Sequence, residues 1–212
     1  MKQAGRWSAA LVAALGAVAL LGSWSSPAQA QSVFEPRFTV DGRLGIAVPF
    51  GGLGDLEDPG LGAGLGGAYW FSPRFAVRAD WSLESLNGNQ IPGAQTYRDL
   101  NLWHYTAGVE ANLAPPVSGN VKFTVNGGLG LTTVDFNGGG PTHSYFTMTG
   151  GAKLAFPLNR QVDLFAGGRV NLVFSNSDDT FQSVAGSNLP IALGTSSLWS
   201  VPLYGGIQVS FP

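Results

Sequence analysis

Ser82, His104, Asp80 and Glu84 are the residues of this chain whose types suit covalent chemistry. A hydroxyl, an imidazole and a carboxylate that converge give a nucleophile, a general base and an orienting acid, the set used in acyl transfer. Period-2 spacing puts Ser82 and His104 on the same face near one end of adjacent segments, with Asp80 and Glu84 close by. No second set of donors for an oxyanion accompanies them, so the expectation is a hydrogen-bonded polar cluster without catalysis. His143 lies in a Gly-Pro loop and takes no role.

Other motifs weaken on inspection. Gly62-Ala-Gly64-Leu-Gly66-Gly67 matches a dinucleotide fingerprint by letter, yet "AYWFSP" follows it where a helix is needed to meet a pyrophosphate. Asp55, Glu57, Asp58, Glu84, Asp99, Asp135, Asp178 and Asp179 fall in predicted loops against a single Arg98. "DLED" lacks a calcium-loop spacing, so these are expected to be solvated acids with no metal site. No cofactor is implied. Arg37, Arg74 and Arg160 fall at the opposite end and are placed to meet lipid phosphates.

The elements that must hold these residues are strands. From Phe211 backwards, Val209, Ile207, Leu203, Val201 and Trp199 share one parity, while Tyr204, Gln208 and Ser210 share the other. Such alternation is a strand with two unlike faces. It recurs seven times upstream over about ten residues each, between Phe38 and Phe174. The short connections "SPR", "APPVSGN" and "PLNRQ" alternate with longer ones at 51–60, 84–99, 134–145 and 175–198, rich in Gly, Asn, Ser and Asp. Short turns and both termini then lie at one end, long loops at the other.

Residues 1–30 read as a cleaved signal peptide: Lys2 and Arg6, then "SAALVAALGAVALLG", then Ala28-Gln29-Ala30. One domain, 31–212, follows. With no cysteine it cannot lean on disulfides. Charged residues make up 11% of the chain, far below the usual value of about 25%, which is too few for a surface wholly in water. Net charge is -2 and no basic patch suggests nucleic acid. No later segment has 18 consecutive apolar residues, so a helical span is excluded.

Two barrels fit eight alternating strands: a soluble one with an apolar inside, or a membrane one with an apolar outside. The apolar parity carries no charge. The other carries Asp41, Arg43, Arg78, Asp80, Glu110, Lys122, Lys153, Asp163 and Arg169 among Gly, Ala, Thr and Asn, which suits a cramped interior with a paired charge network. Gly62, Gly64 and Gly66 are expected to make room for Arg43 and Arg78. Strands of about ten residues, rising about 3.3 Å each and tilted by about 40°, span an apolar band of about 25 Å. Phe71, Phe75, Phe156 and Phe211 mark one girdle, and Phe50, Trp81, Trp103, Phe146 and Trp199 the other. The fold class predicted is all-β: a closed antiparallel up-and-down eight-stranded transmembrane β-barrel in a bacterial outer membrane.

Through "GGAYWFSPRFAVRADW" and "LYGGIQVSFP" the mature chain resembles the small eight-stranded outer-membrane barrels, the opacity-protein and porin-like family related to the transmembrane domain of outer membrane protein A. The resemblance implies that the barrel-assembly machinery reads the terminal strand through Tyr204, Ile207, Val209 and Phe211. Pro212 follows Phe211, where the family pattern usually ends on the aromatic. The expected partners are outer-membrane lipid and lipopolysaccharide, with the chain a monomer. The expected function is structural, adhesive or surface-binding through external loops, without enzyme activity; a narrow small-solute porin and a lipid-modifying enzyme are the alternatives.

Overall fold

The computed structural model describes residues 37–55, 57–88, 99–113, 121–136, 142–175, 180–181, 191–192 and 197–211. The signal-peptide reading falls outside them. Eight long strands form the wall: β1 (Arg37–Phe50), β2 (Glu57–Trp70), β3 (Phe75–Gly88), β4 (Leu100–Asn112), β5 (Lys122–Phe136), β6 (His143–Pro157), β7 (Val162–Phe174) and β10 (Leu198–Phe211). They run in the order β1-β10-β7-β6-β5-β4-β3-β2 and close on themselves. All neighbours are antiparallel, and closure runs from Phe38 opposite Phe211 to Phe50 opposite Trp199. The expected up-and-down barrel is the observed one, and closure leaves no sheet edge to pair with another chain.

The two parities face as the alternation predicts. Leu44 and Leu61 are 71% and 73% exposed on the outer wall, whereas Asp41 and Glu110 are each 1% exposed inside. Phe50, Phe71, Trp81, Phe146, Phe156, Trp199 and Phe211 all project outward and are exposed. The short turns are held by side chains. Ser72 Oγ accepts from the backbone N–H of Phe75 at 2.9 Å, and Asn159 Oδ1 accepts from Gln161 and Val162 N–H at 2.8 and 2.9 Å. These are the local bonds that let Ser and Asn turn a chain tightly. The "APPVSGN" connection lies outside the described residues.

The strands are longer than the ten residues expected, reaching 15 in β5 and β6. β2 begins at Glu57 inside the predicted 51–60 loop, β3 runs on to Gly88, and β6 starts at His143. A bulge between Asp58 and Leu61 absorbs the change of register. A small hairpin, β8 (Thr180–Phe181) with β9 (Ile191–Ala192), lies within the last long connection. The extension has a packing reason. Ala47, Leu86, Leu100, Leu102, Val134, Tyr145, Val173 and Leu198 turn inward at the loop end and cluster with Leu53 of a short 3-10 helix, η1 (Gly51–Leu53). Gly51 takes φ 62, a left-handed conformation that glycine adopts without steric cost, and so turns the chain into η1. The result is an apolar cap across the outer mouth.

Candidate functional site

The functional geometry of a closed barrel is its lumen and its two rims. Arg78 is the hub of the lower lumen. Its Nη2 meets Asp41 Oδ2 at 2.6 Å, its Nε meets Asp80 Oδ2 at 2.7 Å and its Nη1 meets Glu110 Oε2 at 2.9 Å. Asp80 Oδ1 also takes Arg43 Nη1 at 2.6 Å and Arg169 Nη2 at 3.1 Å. Glu110 Oε1 passes the chain to Lys153 Nζ at 2.9 Å, which donates to Gln208 Oε1 at 2.8 Å. Gln208 Nε2 reaches Asp163 Oδ2 at 3.4 Å, and Lys122 Nζ closes the series on Asp163 at 2.8 Å. All nine charges singled out in the sequence thus join one network, with Gln208 as a link that charge counting passed over.

Space for this network comes from glycine. A β-carbon on Gly66 would fall on Arg78 Nη2, and one on Gly64 would sit 2.9 Å from Arg43 Nε. Gly62 differs, because its nearest neighbour would be 3.9 Å away. Arg43 also lies over the ring of Tyr204 at 5.5 Å, and Lys153 over Phe165 at 5.5 Å.

A second polar layer lies above the first, under the apolar cap. His104 Nδ1 hydrogen-bonds Thr132 Oγ1 at 2.6 Å, and Thr132 Oγ1 contacts Thr147 Oγ1 at 2.5 Å. His104 Nε2 faces Glu84 Oε1 at 3.3 Å, and Asn171 Nδ2 donates to that same oxygen at 2.5 Å and to Ser200 Oγ at 3.3 Å. Ser82 stands directly opposite His104 in register, but Nδ1 of the ring is bonded to Thr132, while Nε2 lies 3.3 Å from Glu84 Oε1 and makes no hydrogen bond. No hydrogen bond therefore joins Nε2 to Ser82. Glu84, expected in a solvated loop, is 1% exposed, and Glu57 is 3% exposed. Both acids are inside because β2 and β3 continue past the expected loop boundaries.

The rims carry opposite charge among the described residues. Asp55, Asp58 and Asp99 are exposed at the loop end, and no described group of three or more His, Cys, Asp or Glu could hold a metal ion. Arg98, Asp178 and Asp179 lie outside the described residues. At the turn end Arg74 and Arg160 are exposed, and Arg37 lies over the Trp70 ring at 5.5 Å. His143 stacks on Tyr145 at the start of β6. On the terminal strand, Ile207 and Phe211 point outward and are exposed. Val209 shares their parity, while Tyr204 points inward beneath Arg43. The four residues ascribed to assembly therefore do not share one face.

The family described as "Outer membrane protein beta-barrel domain" matches residues 16–196. The chain belongs to that family. Its apolar outer wall is accordingly the lipid-facing surface of a barrel that spans the bacterial outer membrane. Solved barrels share the fold. Neisserial surface protein A superposes with a TM-score of 0.58 at 18% identity, over 82% of this chain and 97% of that one. OprG from Pseudomonas aeruginosa gives 0.55 at 12% identity, over 82% and 95%. Ail, the attachment invasion locus protein of Yersinia pestis, solved with the heparin analogue sucrose octasulfate, gives 0.50 at 14%, over 84% and 100%. A search among curated proteins returns no match.

Proposed function

We propose that the protein is a sealed structural barrel whose biological contacts are made outside the lumen, by its external loops and its rims. The observation that carries this reading is the filled interior: a nine-charge network below and an apolar cap above. A small-solute conduit needs a continuous wetted gap, which neither layer leaves. A lipid-modifying enzyme needs an accessible nucleophile. Ser82 and His104 are 8% and 1% exposed, and Nδ1 of His104 is taken by Thr132. The protein is read as a non-enzyme, working without cofactor or nucleic acid.

The rims suggest the partners. Arg74 and Arg160 suit phosphates of the inner leaflet, and the acidic loop end suits lipopolysaccharide approached through divalent cations. Ail was solved with a sulfated ligand; the acidic outer rim here favours cationic or cation-bridged partners over a polyanion. Assembly through the barrel machinery and a monomeric state complete the reading.

The test is to replace Asp55, Asp58 and Asp99, the exposed acids of the loop end, with Asn. The barrel should still fold and show its heat-modifiable gel shift, while binding to lipopolysaccharide vesicles with Mg²⁺ falls at least ten-fold. If binding survives in the neutralised barrel, the reading of an acidic rim fails.

A further inference from the structure

The outer wall is not evenly covered. Where β1 runs between β10 and β2, a groove of about 590 Å³ opens on the outside of the barrel. Gly42 and Gly205 form its floor. Leu65 and Ile207 flank Gly42 on its two sides in register, and Leu44 stands opposite Gly205. Trp81, opposite Leu65, stands at one end. These four large side chains are apolar and exposed, so the groove has high walls and a bare floor.

Neither glycine is required by the chain. Among the described residues only Gly51 takes a positive φ. A β-carbon on Gly42 would come no nearer than 3.7 Å to Leu65, and one on Gly205 no nearer than 3.6 Å to the Phe165 carbonyl, both ordinary contacts. Gly45 and Gly206, which face inward, differ: a β-carbon there would run into the Leu203 and Gly42 carbonyls of the neighbouring strand. A strand gains from β-branched and long apolar side chains and is weakened by glycine. Glycine kept where a side chain would fit marks the close approach of something other than the chain itself.

We propose that this groove seats one acyl chain of a lipid in the loop-side leaflet. The groove is continuous with the lipid-facing wall, and its outward side chains are all apolar, so it recognises a hydrocarbon chain and not a headgroup. Trp81 pairs with Trp103 at 5.7 Å in the loop-end girdle, which puts the entrance on that side. A second copy of the barrel would need about 20–30 residues a side, far more than line the groove. The inference goes beyond the rims and does not depend on their binding anything.

The full mature chain, refolded in phosphatidylcholine vesicles doped with a phosphatidylcholine carrying a diazirine midway along one acyl chain, tests it by photolabelling and peptide mapping. Leu65 in the groove wall and Leu131 on β5 are 56% and 54% exposed, so a featureless wall would label them alike. The expected ratio of label, Leu65 over Leu131, is at least three. Gly42→Leu with Gly205→Leu fills the floor and should bring the ratio near one. Gly150→Leu should leave it unchanged, because Gly150 is an exposed glycine on β6 outside the groove whose β-carbon would meet nothing within 4 Å. With the diazirine moved to the carboxyl end of the chain, label should shift to Trp81. A wild-type ratio near one, a ratio that survives the filled floor, a shift to Ile207 in place of Trp81, or a crosslinked dimer that shields Leu65 would each overturn the proposal. If the double variant does not fold, the wild-type ratio and Gly205→Leu alone decide it.

Discussion

A side chain at Gly66 would fall on Arg78, and one at Gly64 would press equally on Arg43 Nε and the Trp81 carbonyl. The arginines in turn are tolerated only because carboxylates surround them. Burying an ion pair is not a clear gain in stability, but removing one partner leaves a stranded charge. Gly66→Ala should therefore push Arg78 off Asp41 and destabilise the barrel by about 1–3 kcal/mol, the range for overpacked interiors. Gly62→Ala, whose new methyl has no atom nearer than 3.9 Å, should change stability by no more than about 0.5 kcal/mol. Reversible urea unfolding in lipid vesicles measures both. Equal costs at the two positions would mean that Gly66 does not make room for Arg78. At this scale the nine charges were legible, since charge on a single parity is a signal that survives without coordinates. The partner of His104 was not. β4 lies between β3 and β5, so His104 has both Ser82 and Thr132 as cross-strand neighbours, and only its rotamer chooses Thr132.

Strand identity and order followed from alternation, because lipid on one side and a packed lumen on the other impose period two along the whole membrane span. Strand length did not follow. Beyond the membrane the inward positions become apolar as well: Leu102 beside Trp103, Val173 beside Phe174 and Leu198 beside Trp199. Both parities then look alike, the alternation fades, and the pattern reads as the edge of a loop. Apolar neighbours on both parities just before a Gly- or Asp-rich loop are the signal that could have found the cap. Depth along one strand gives the corresponding test. On β5, Leu129 faces outward between Phe123 and Leu131, and Thr133 shares its parity beyond them. Leu129→Arg should cost about 2–4 kcal/mol and Thr133→Arg no more than about 1 kcal/mol, as expected for the bilayer interior against its interface. Unfolding in lipid vesicles reads the difference. A harmless arginine at 129 would mean that this face does not meet hydrocarbon.

At the scale of the whole molecule, few charges, no cysteine and eight alternating strands describe a protein with lipid against its outside and a paired charge network within. The low charge content was legible in composition. The two-layered lumen was not, because Glu84 and Glu57 read as loop acids until the strands are seen to extend past them. What the assembled barrel does depends on whether anything crosses it. Charged groups locked to one another do not act as a passing ion's ligands, and the apolar cap resists wetting. Single-channel recording on the purified, refolded protein in planar bilayers is the most direct measurement of this claim. The account predicts silent membranes, with at most rare and small currents, at protein densities where a general porin opens continuously. Stable, long-lived openings of porin size would contradict it and return the protein to the conduit class.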